Sequence, residues 1–280
     1  MNSTDRDIRE YIRSVDIVEL PLESNLEANS KLEANSKLEA NSNYEANIET
    51  AKMPEVVFSD SEQFVTVGGT LTHLSKGVST ELRAAISNTL LLAHLKTKKD
   101  LAVDVDPEQW LLHYANVLSN LGWLPSSPMK SETNLSGTGL EVKKKFLRVI
   151  TDLLKGVVAS TVVAKLIAGF LDGLNSSDEK KPWLTLFNEE TRTSTAQIFQ
   201  LGHVYINNDG NPQIGLVSIG LEAKNDFIQI IFFKSKNVVT SVKHISNKIV
   251  ANEETILRHS EEVRNIIHAH TSRYIKNIEI

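Results

Sequence analysis

Cysteine is absent from this chain of 280 residues. A disulfide framework, a thiolate nucleophile and a cysteine-based zinc site are therefore all excluded, and the fold must rest on packing alone. With 41% hydrophobic and 23% charged residues, the composition is that of an ordinary globular protein. The length allows one large domain or two small ones.

Long hydrophobic runs are missing as well. The most apolar stretch, residues 156–171, is interrupted by Lys165 and falls short of the roughly 20 residues that a transmembrane helix needs. The first ten residues, MNSTDRDIRE, lack the basic and apolar regions of a secretory signal. We therefore expect a soluble protein without signal peptide or transmembrane helix, either cytoplasmic or exported by a non-Sec route.

The net charge of -5 is unevenly placed. Residues 1–55 contain 12 acidic and 6 basic side chains, whereas residues 56–280 contain 23 acidic and 24 basic ones. A nearly neutral body without a basic stripe argues against nucleic-acid binding, which depends on neutralising phosphates. We expect no nucleic-acid partner.

A tandem hexapeptide occupies residues 26–48, where LEANSK and close variants follow one another. A period of six turns the apolar residue around an α-helix from repeat to repeat, so it builds no helical stripe, and four copies are too few for a stacked β-helix. Polar residues dominate the repeat, and we interpret it as a flexible spacer. Ahead of it, Ile8, Tyr11, Ile12, Val15 and Val18 recur at helical spacing and predict a short helix that docks on the body or on a protein partner.

These patterns divide the chain into an N-terminal tail, residues 1–52, and a single globular domain, residues 53–280. In the tail we expect the short helix, the repeats and otherwise mostly disorder. Strands are predicted around the Gly68-Gly69 turn, followed by helices over residues 80–98 and from Pro107 to Leu121. The segment from Trp123 to about Gly137 is expected to be a loop, and Thr138 with Glu141 forms a capping-box pattern that begins a third helix.

The second half changes to short runs rich in Ile, Val, Phe and Tyr, separated by turn residues. Residues 195–206, 213–223 and 227–234 predict an antiparallel meander, and residues 238–250 are compatible with a strand or a short helix. Asn252 caps a final helix. The predicted fold class is therefore α+β: a helical first half, then an antiparallel β meander closed by a C-terminal helix.

No pattern of catalytic, cofactor-binding or metal-binding residues is convincing. His268 and His270 stand two residues apart, on opposite sides of a helix, and His259 lies further upstream. His94 and His113 lie on helices without a partner nearby in the sequence. Neither the serine-nucleophile elbow nor a phosphate-binding loop is present. We expect no metal and no cofactor, and enzymatic activity is the less favoured interpretation.

The most informative segment is residues 146–174, where paired apolar residues recur at helical spacing among glycines and alanines. The first interpretation is a central core helix under the sheet. The second is an amphipathic helix that becomes exposed and contacts a membrane or a partner. In kind, the segment resembles the buried hydrophobic helices of α-helical pore-forming toxins, over these residues only and without a shared motif. The expected contact residues are Val157, Val158, Val162, Val163, Leu166, Ile167 and Phe170.

The functional hypothesis is a non-enzymatic protein that associates with a lipid membrane, a lipid ligand or a protein partner. A bacterial virulence or toxin-like factor is one form of it. Two alternatives stay open: an enzyme whose site is assembled from residues far apart in sequence, and a plain intracellular protein-interaction module. The oligomeric state does not follow from the sequence.

Overall fold

The computed structural model describes residues 3–17, 58–101, 105–126, 129–159, 162–168, 191, 197–222 and 238–278. Within them the chain is α+β, as predicted. The hexapeptide repeats, Phe170 and the expected strand at 227–234 lie outside the described residues. In chain order the elements are α1 (Ser3–Ser14), β1 (Gln63–Val67), β2 (Thr70–Leu74), α2 (Thr80–Asp100), α3 (Pro107–Asn120), β3 (Trp123–Pro125), β4 (Met129–Gly137), α4 (Gly139–Val157), β5 (Gln197–Ile206), β6 (Pro212–Glu222), β7 (Val238–Ala251), α5 (Glu253–Tyr274) and β8 (Ile275–Ile278).

The eight strands form one sheet in the order β3-β7-β6-β5-β2-β1-β8, and β4 pairs with the same edge of β7 as β3 does. Two strands of the meander expected in the second half, β5 and β6, are present as antiparallel neighbours, and β7, from the stretch 238–250, pairs with β6 as a third antiparallel strand. Strands β2 and β5 are paired in parallel, and all the other pairs are antiparallel. The β2–β5 pair joins strands from the two halves of the chain.

Helices cover both faces of this sheet, because alternate residues of each strand place apolar side chains on both sides. On the first face, α2, α3 and α5 pack with α1 over a large core that includes Trp110, Tyr114 and Trp123. On the second face, α4 packs over a smaller core that includes Phe146 and Phe199, whose ring centroids are 6.1 Å apart. The molecule is therefore layered as helices, sheet and helices.

The helix starts follow the sequence signals. The Ser79 hydroxyl accepts a hydrogen bond from the Leu82 amide at the start of α2, and the Asp106 carboxylate accepts one from the Glu108 amide at the start of α3. Thr138 and Glu141 form the complete capping box predicted for α4. These caps confirm the three predicted helix starts.

In the loop and strand assignments one expectation fails, and one open alternative is decided. The predicted loop from Trp123 to Gly137 is wrong, since these residues contain β3 and β4. Strand β4 lies along the sheet edge and is largely exposed, with Leu135 as its buried apolar residue, so it carries no alternating pattern. The ambiguous stretch 238–250 is a strand, β7, which pairs with β6 on one side and with β3 and β4 on the other.

The single helix expected over residues 146–174 is divided. Helix α4 begins at Gly139, directly after its predicted cap Thr138, and ends at Val157, because Val158 adopts an extended conformation with φ of -131° and ψ of 161°. Residues 162–168 are helical again. Gly156 and the β-branched residues that follow it lower helix propensity at this point, which accounts for the break.

Helix α1 packs on the body rather than standing apart from it. Ile8 and Ile12 are buried in the large core, and Asp5 pairs with Arg258 of α5. A second ion pair, 3.0 Å long, joins Arg9 to Glu262 of the same helix. The packed body therefore includes a helix that precedes the repeats in sequence.

We expect Ile12→Ala to lower the free energy of unfolding by about 2–4 kcal/mol, because it removes buried apolar volume between α1 and α5. Urea denaturation monitored by circular dichroism measures this loss. Glu10→Ala, an exposed position on the same helix, is the control and should change stability by less than about 0.5 kcal/mol. Equal stability of the two variants would contradict the packing of α1.

Candidate functional site

A row of side chains crosses the second face of the sheet where β1, β2, β5 and β6 lie side by side. Phe64 is paired with His73, His73 with His203, and His203 with Gly215. Tyr205 follows His203 on the same face of β5. The two histidines stack with ring centroids 5.0 Å apart, and His203 stacks on Tyr205 at 5.2 Å. The ring of Phe64 is tilted by 48° against His73, with the centroids 4.7 Å apart.

His73 and His203, the histidine pair, are joined by a hydrogen bond of 2.9 Å between their Nδ1 atoms. One Nδ1 must carry a proton and the other must be bare, so this contact requires at least one neutral ring. The side chains are almost completely buried, with 1% of His73 and 5% of His203 exposed. Protonating both rings would place two N–H donors against each other at this distance.

Charged groups surround the pair from three directions. Glu62, which precedes β1, has Oε1 4.0 Å from the Nε2 atom of His73. The Glu62 carboxylate is ion-paired with Lys165 of the helical stretch 162–168. Arg83 of α2 also acts electrostatically on His73 from the other side of the sheet. A carboxylate therefore favours protonation of the pair, while two cations oppose it.

Burial dominates these opposing effects. Desolvation lowers the pKa of both histidines to about 4 from the usual 6.5. Glu62 raises the pKa of His73, and Lys165 lowers the pKa of both rings. The hydrogen bond from Lys165 keeps the pKa of Glu62 itself below its usual value. At neutral pH the site therefore holds two neutral imidazoles beside an intact ion pair.

A cavity of about 340 Å³ lies over the histidine pair. Its floor is formed by His73, His203 and Tyr205 of the sheet, and Ala159 and Val162 line its other side. The Nε2 atom of His73 is buried without a hydrogen-bond partner. Packing at this end of the second face is therefore incomplete, in contrast to the filled core under α4.

The end of α4 lies directly on the sheet beside the histidine pair. A Cβ atom placed on Gly215 would be 2.5 Å from Cγ1 of Val158 and 2.9 Å from the carbonyl oxygen of Val157. Such distances are too short for any side chain, so the glycine permits this close approach. We call α4 together with residues 162–168 the cover layer, since both lie over the second face.

Six of the seven predicted contact residues lie in or beside the cover layer, and Phe170 is outside the described residues. Val157, Val158, Val163 and Leu166 are buried in the smaller core, and Val162 and Ile167 pack partly buried against it. These six side chains are therefore brought together on the sheet, in agreement with the core interpretation of the segment. In this closed arrangement they are not available to a membrane.

Sequence reasoning missed the histidine pair and considered other histidines instead. His113 is hydrogen-bonded to Asp100 at 2.9 Å, His94 is buried against Trp110, and His259 lies 3.7 Å from carboxylate oxygens of Asp5 and of Glu262. His268 is exposed on α5. Across the described part of the chain, no group of three ligands is arranged to hold a metal ion.

The cavity also contains two hydroxyl groups, but neither is poised as a nucleophile. The Ser75 hydroxyl donates to the carbonyl oxygen of Val204 at 2.8 Å, and the Tyr205 hydroxyl donates to the side chain of Gln213 at 2.6 Å. A nucleophile would need a hydrogen bond to a histidine acting as base.

Among the described residues, none of the helices meets the length and apolarity required to cross a bilayer.

We expect the protein to lose stability as the pH falls from 6.5 to 4. In this range His73 and His203 of the unfolded chain bind protons, whereas the buried histidine pair of the folded protein stays neutral. A pKa lowered from 6.5 to about 4 corresponds to at most about 3 kcal/mol for one histidine. Urea denaturation at a series of pH values measures the loss. It should be smaller in His73→Leu/His203→Leu than in the unchanged protein or in His268→Gln, which changes an exposed histidine of α5, and equal slopes in all three would contradict the prediction.

Comparisons with known proteins give no family assignment. No family model matches the chain, and no curated protein matches its sequence.

Among solved structures, a delta-endotoxin aligns with 71% of this chain and 87% of its own, at 12% identity and a TM-score of 0.42. The activated Cyt2Ba monomer from Bacillus thuringiensis subsp. israelensis aligns with 65% of this chain and 96% of its own, at 12% identity and a TM-score of 0.39. The Evf virulence factor aligns over 84% and 91%, at 11% identity and a TM-score of 0.29. With TM-scores below 0.5, these similarities transfer no function to this chain.

Proposed function

We propose that this protein binds anionic lipid membranes by lifting the cover layer off the sheet and placing its apolar side in the membrane interface. The observation that carries the proposal is that α4 is amphipathic, with a continuous apolar stripe on one side and a strongly basic outer face. Such helices lie in the plane of a membrane surface, with the apolar side in the acyl boundary and the basic side among the headgroups.

The apolar stripe of α4 runs along its whole inner side. Val142, Phe146, Ile150, Leu154 and Val157 follow one another at intervals of four or three residues and are all buried against the sheet. If the helix leaves the sheet, this stripe is exposed as one surface. Water would penalise that exposure, and a lipid interface would remove the penalty.

The outer face of α4 carries an excess of positive charge. The helix contains five basic and two acidic side chains, and Lys144, Lys145 and Arg148 are exposed. A basic side chain near an anionic bilayer contributes roughly 1 kcal/mol of attraction. The surrounding body is nearly neutral, so this charge is a local property of the helix rather than of the whole protein.

Attachment of the cover layer is weakest at its C-terminal end. The cavity leaves part of the second face unfilled, Val158 lies against a glycine, and the Lys165–Glu62 ion pair that closes the rim is exposed by about half. Exposed ion pairs contribute only about 0 to 1 kcal/mol. The contact residues expected from the sequence, Val157 to Ile167, would be uncovered as this end lifts.

A virulence or toxin-like role is the finer form of the same proposal. In that form the inserted apolar surface perturbs the bilayer enough to release its contents, whereas simple association leaves vesicles intact. Dye release from loaded vesicles distinguishes the two. The enzyme alternative has no comparable support, because the hydroxyl groups in the cavity over the histidine pair are not activated as nucleophiles.

We expect Lys144→Glu/Arg148→Glu to weaken binding to vesicles of phosphatidylcholine and phosphatidylserine by at least about tenfold, because it reverses two charges on the lipid-facing helix. Co-sedimentation measures the binding. Both positions are exposed, so the fold should be unaffected. Vesicles of phosphatidylcholine alone should bind both proteins weakly.

The matched control is Lys76→Glu/Lys248→Glu, which makes the same change in net charge at two exposed positions outside α4. It should bind nearly as well as the unchanged protein. Equal weakening in both double variants would mean that net charge, and not α4, determines binding. Absence of vesicle binding by the unchanged protein from pH 4 to pH 7 would refute the proposed function.

A further inference from the structure

We propose that the histidine pair is a proton-operated latch that holds the cover layer on the sheet at neutral pH and releases it in mild acid. The inference deepens the proposed function by naming its regulation, and it rests on that function only for what happens at a membrane. Release itself is a property of the protein alone.

The pair is placed to sense protons because its hydrogen bond is compatible with at most one protonated ring. Its hydrogen bond of 2.9 Å joins two Nδ1 atoms, and the rings are stacked with their planes 16° apart. A second proton on the bridge leaves two donors facing each other, and a charged ring at this depth lacks water. The buried site accepts protons only by opening to solvent.

The pair is placed to act on the cover layer because both parts meet on one row of the sheet. His203 is the direct cross-strand partner of Gly215, and Val157 and Val158 lie against that glycine. Ala159 and Val162 line the cavity over the two rings. Water that hydrates a protonated ring would collect in this cavity, against the same residues that end α4 and begin the next helical stretch.

The charged and titratable groups around the histidine pair show which of them respond to pH. Glu62 and Lys165 lie on the cavity side, Arg83 acts from α2, and Tyr205 stacks on His203. The hydrogen bond from Lys165 lowers the pKa of Glu62, so this carboxylate keeps its charge further into acid than an unpaired one does. Burial lowers the pKa of both histidines to about 4. The two rings are therefore the groups on which the latch depends.

The neighbouring charges provide a test that leaves the buried rings untouched. Glu62→Gln removes a carboxylate that favours protonation, so opening should require a lower pH. Lys165→Gln removes a cation that opposes protonation, so opening should occur at a higher pH. Both variants lose the same exposed ion pair, and the difference between them therefore reports the charge at the histidines.

Opening is measured with a fluorophore on Leu153→Cys, the single cysteine of the labelled protein, at a partly buried position of α4. Quenching by iodide should be weak at pH 7 and should rise between pH 6.5 and 4. We expect the midpoint to shift down by roughly half a pH unit in Glu62→Gln and up by a similar amount in Lys165→Gln. Shifts in the same direction, or a quenching level independent of pH, would overturn the latch.

Gly215→Ala separates the latch from the membrane function. Its new Cβ atom cannot coexist with Val157 and Val158 in their present positions, so the cover layer should open at pH 7 without any change in charge. Gly202→Ala is the control, since a Cβ atom there meets its neighbours at ordinary distances of 3.4 Å or more. The control should keep the quenching profile of the unchanged protein.

Vesicle binding by these variants completes the test. If the midpoints shift oppositely and Gly215→Ala opens but binds no vesicles at pH 7, the latch is supported and the proposed membrane function fails. If Gly215→Ala binds vesicles at pH 7 and the unchanged protein binds them equally at pH 7 and in acid, without any pH-dependent rise in quenching, the latch is overturned and the membrane function stands.

Discussion

Both faces of the eight-stranded sheet are apolar, and this constraint governs the rest of the structure. Such a sheet is stable in water only while helices cover each side. On the first face the cover is thick, because α2, α3 and α5 pack on the sheet or on each other and α1 adds buried isoleucines and ion pairs. On the second face the described cover is α4 with residues 162–168, and α4 pairs an apolar inner side with a basic outer one.

This asymmetry links packing to the proposed function. Removing helices from the first face would expose the large core and unfold the protein, whereas α4 packs over a separate, smaller core, so the proposed opening leaves the large core covered. The cavity at the end of that layer lies over the histidine pair. A buried pair of neutral imidazoles is stable at neutral pH and costly in acid, so the local chemistry sets the conditions for release.

Sequence reasoning succeeded where local signals agree with packing. The caps at Ser79, Asp106 and Thr138 predicted three helix starts, and β-branched runs predicted the meander. Strand β4 was missed because an exposed edge strand needs no apolar alternation. The histidine pair was missed because its members stand 130 residues apart and meet only through the parallel pairing of β2 and β5. The sequence signal that could have revealed the pair is a histidine in each strand at a position where the neighbouring side chains on the same face are apolar.

Depth of insertion of α4 tests the central claim most directly. A fluorophore is attached to Leu153→Cys on the inner side or to Lys144→Cys on the outer side, and the protein is mixed at acidic pH with phosphatidylserine vesicles that carry nitroxide groups along their acyl chains. The account predicts strong quenching of the label at position 153 and little quenching at position 144. Equal quenching at both positions, or none at position 153 in protein that sediments with the vesicles, would contradict it.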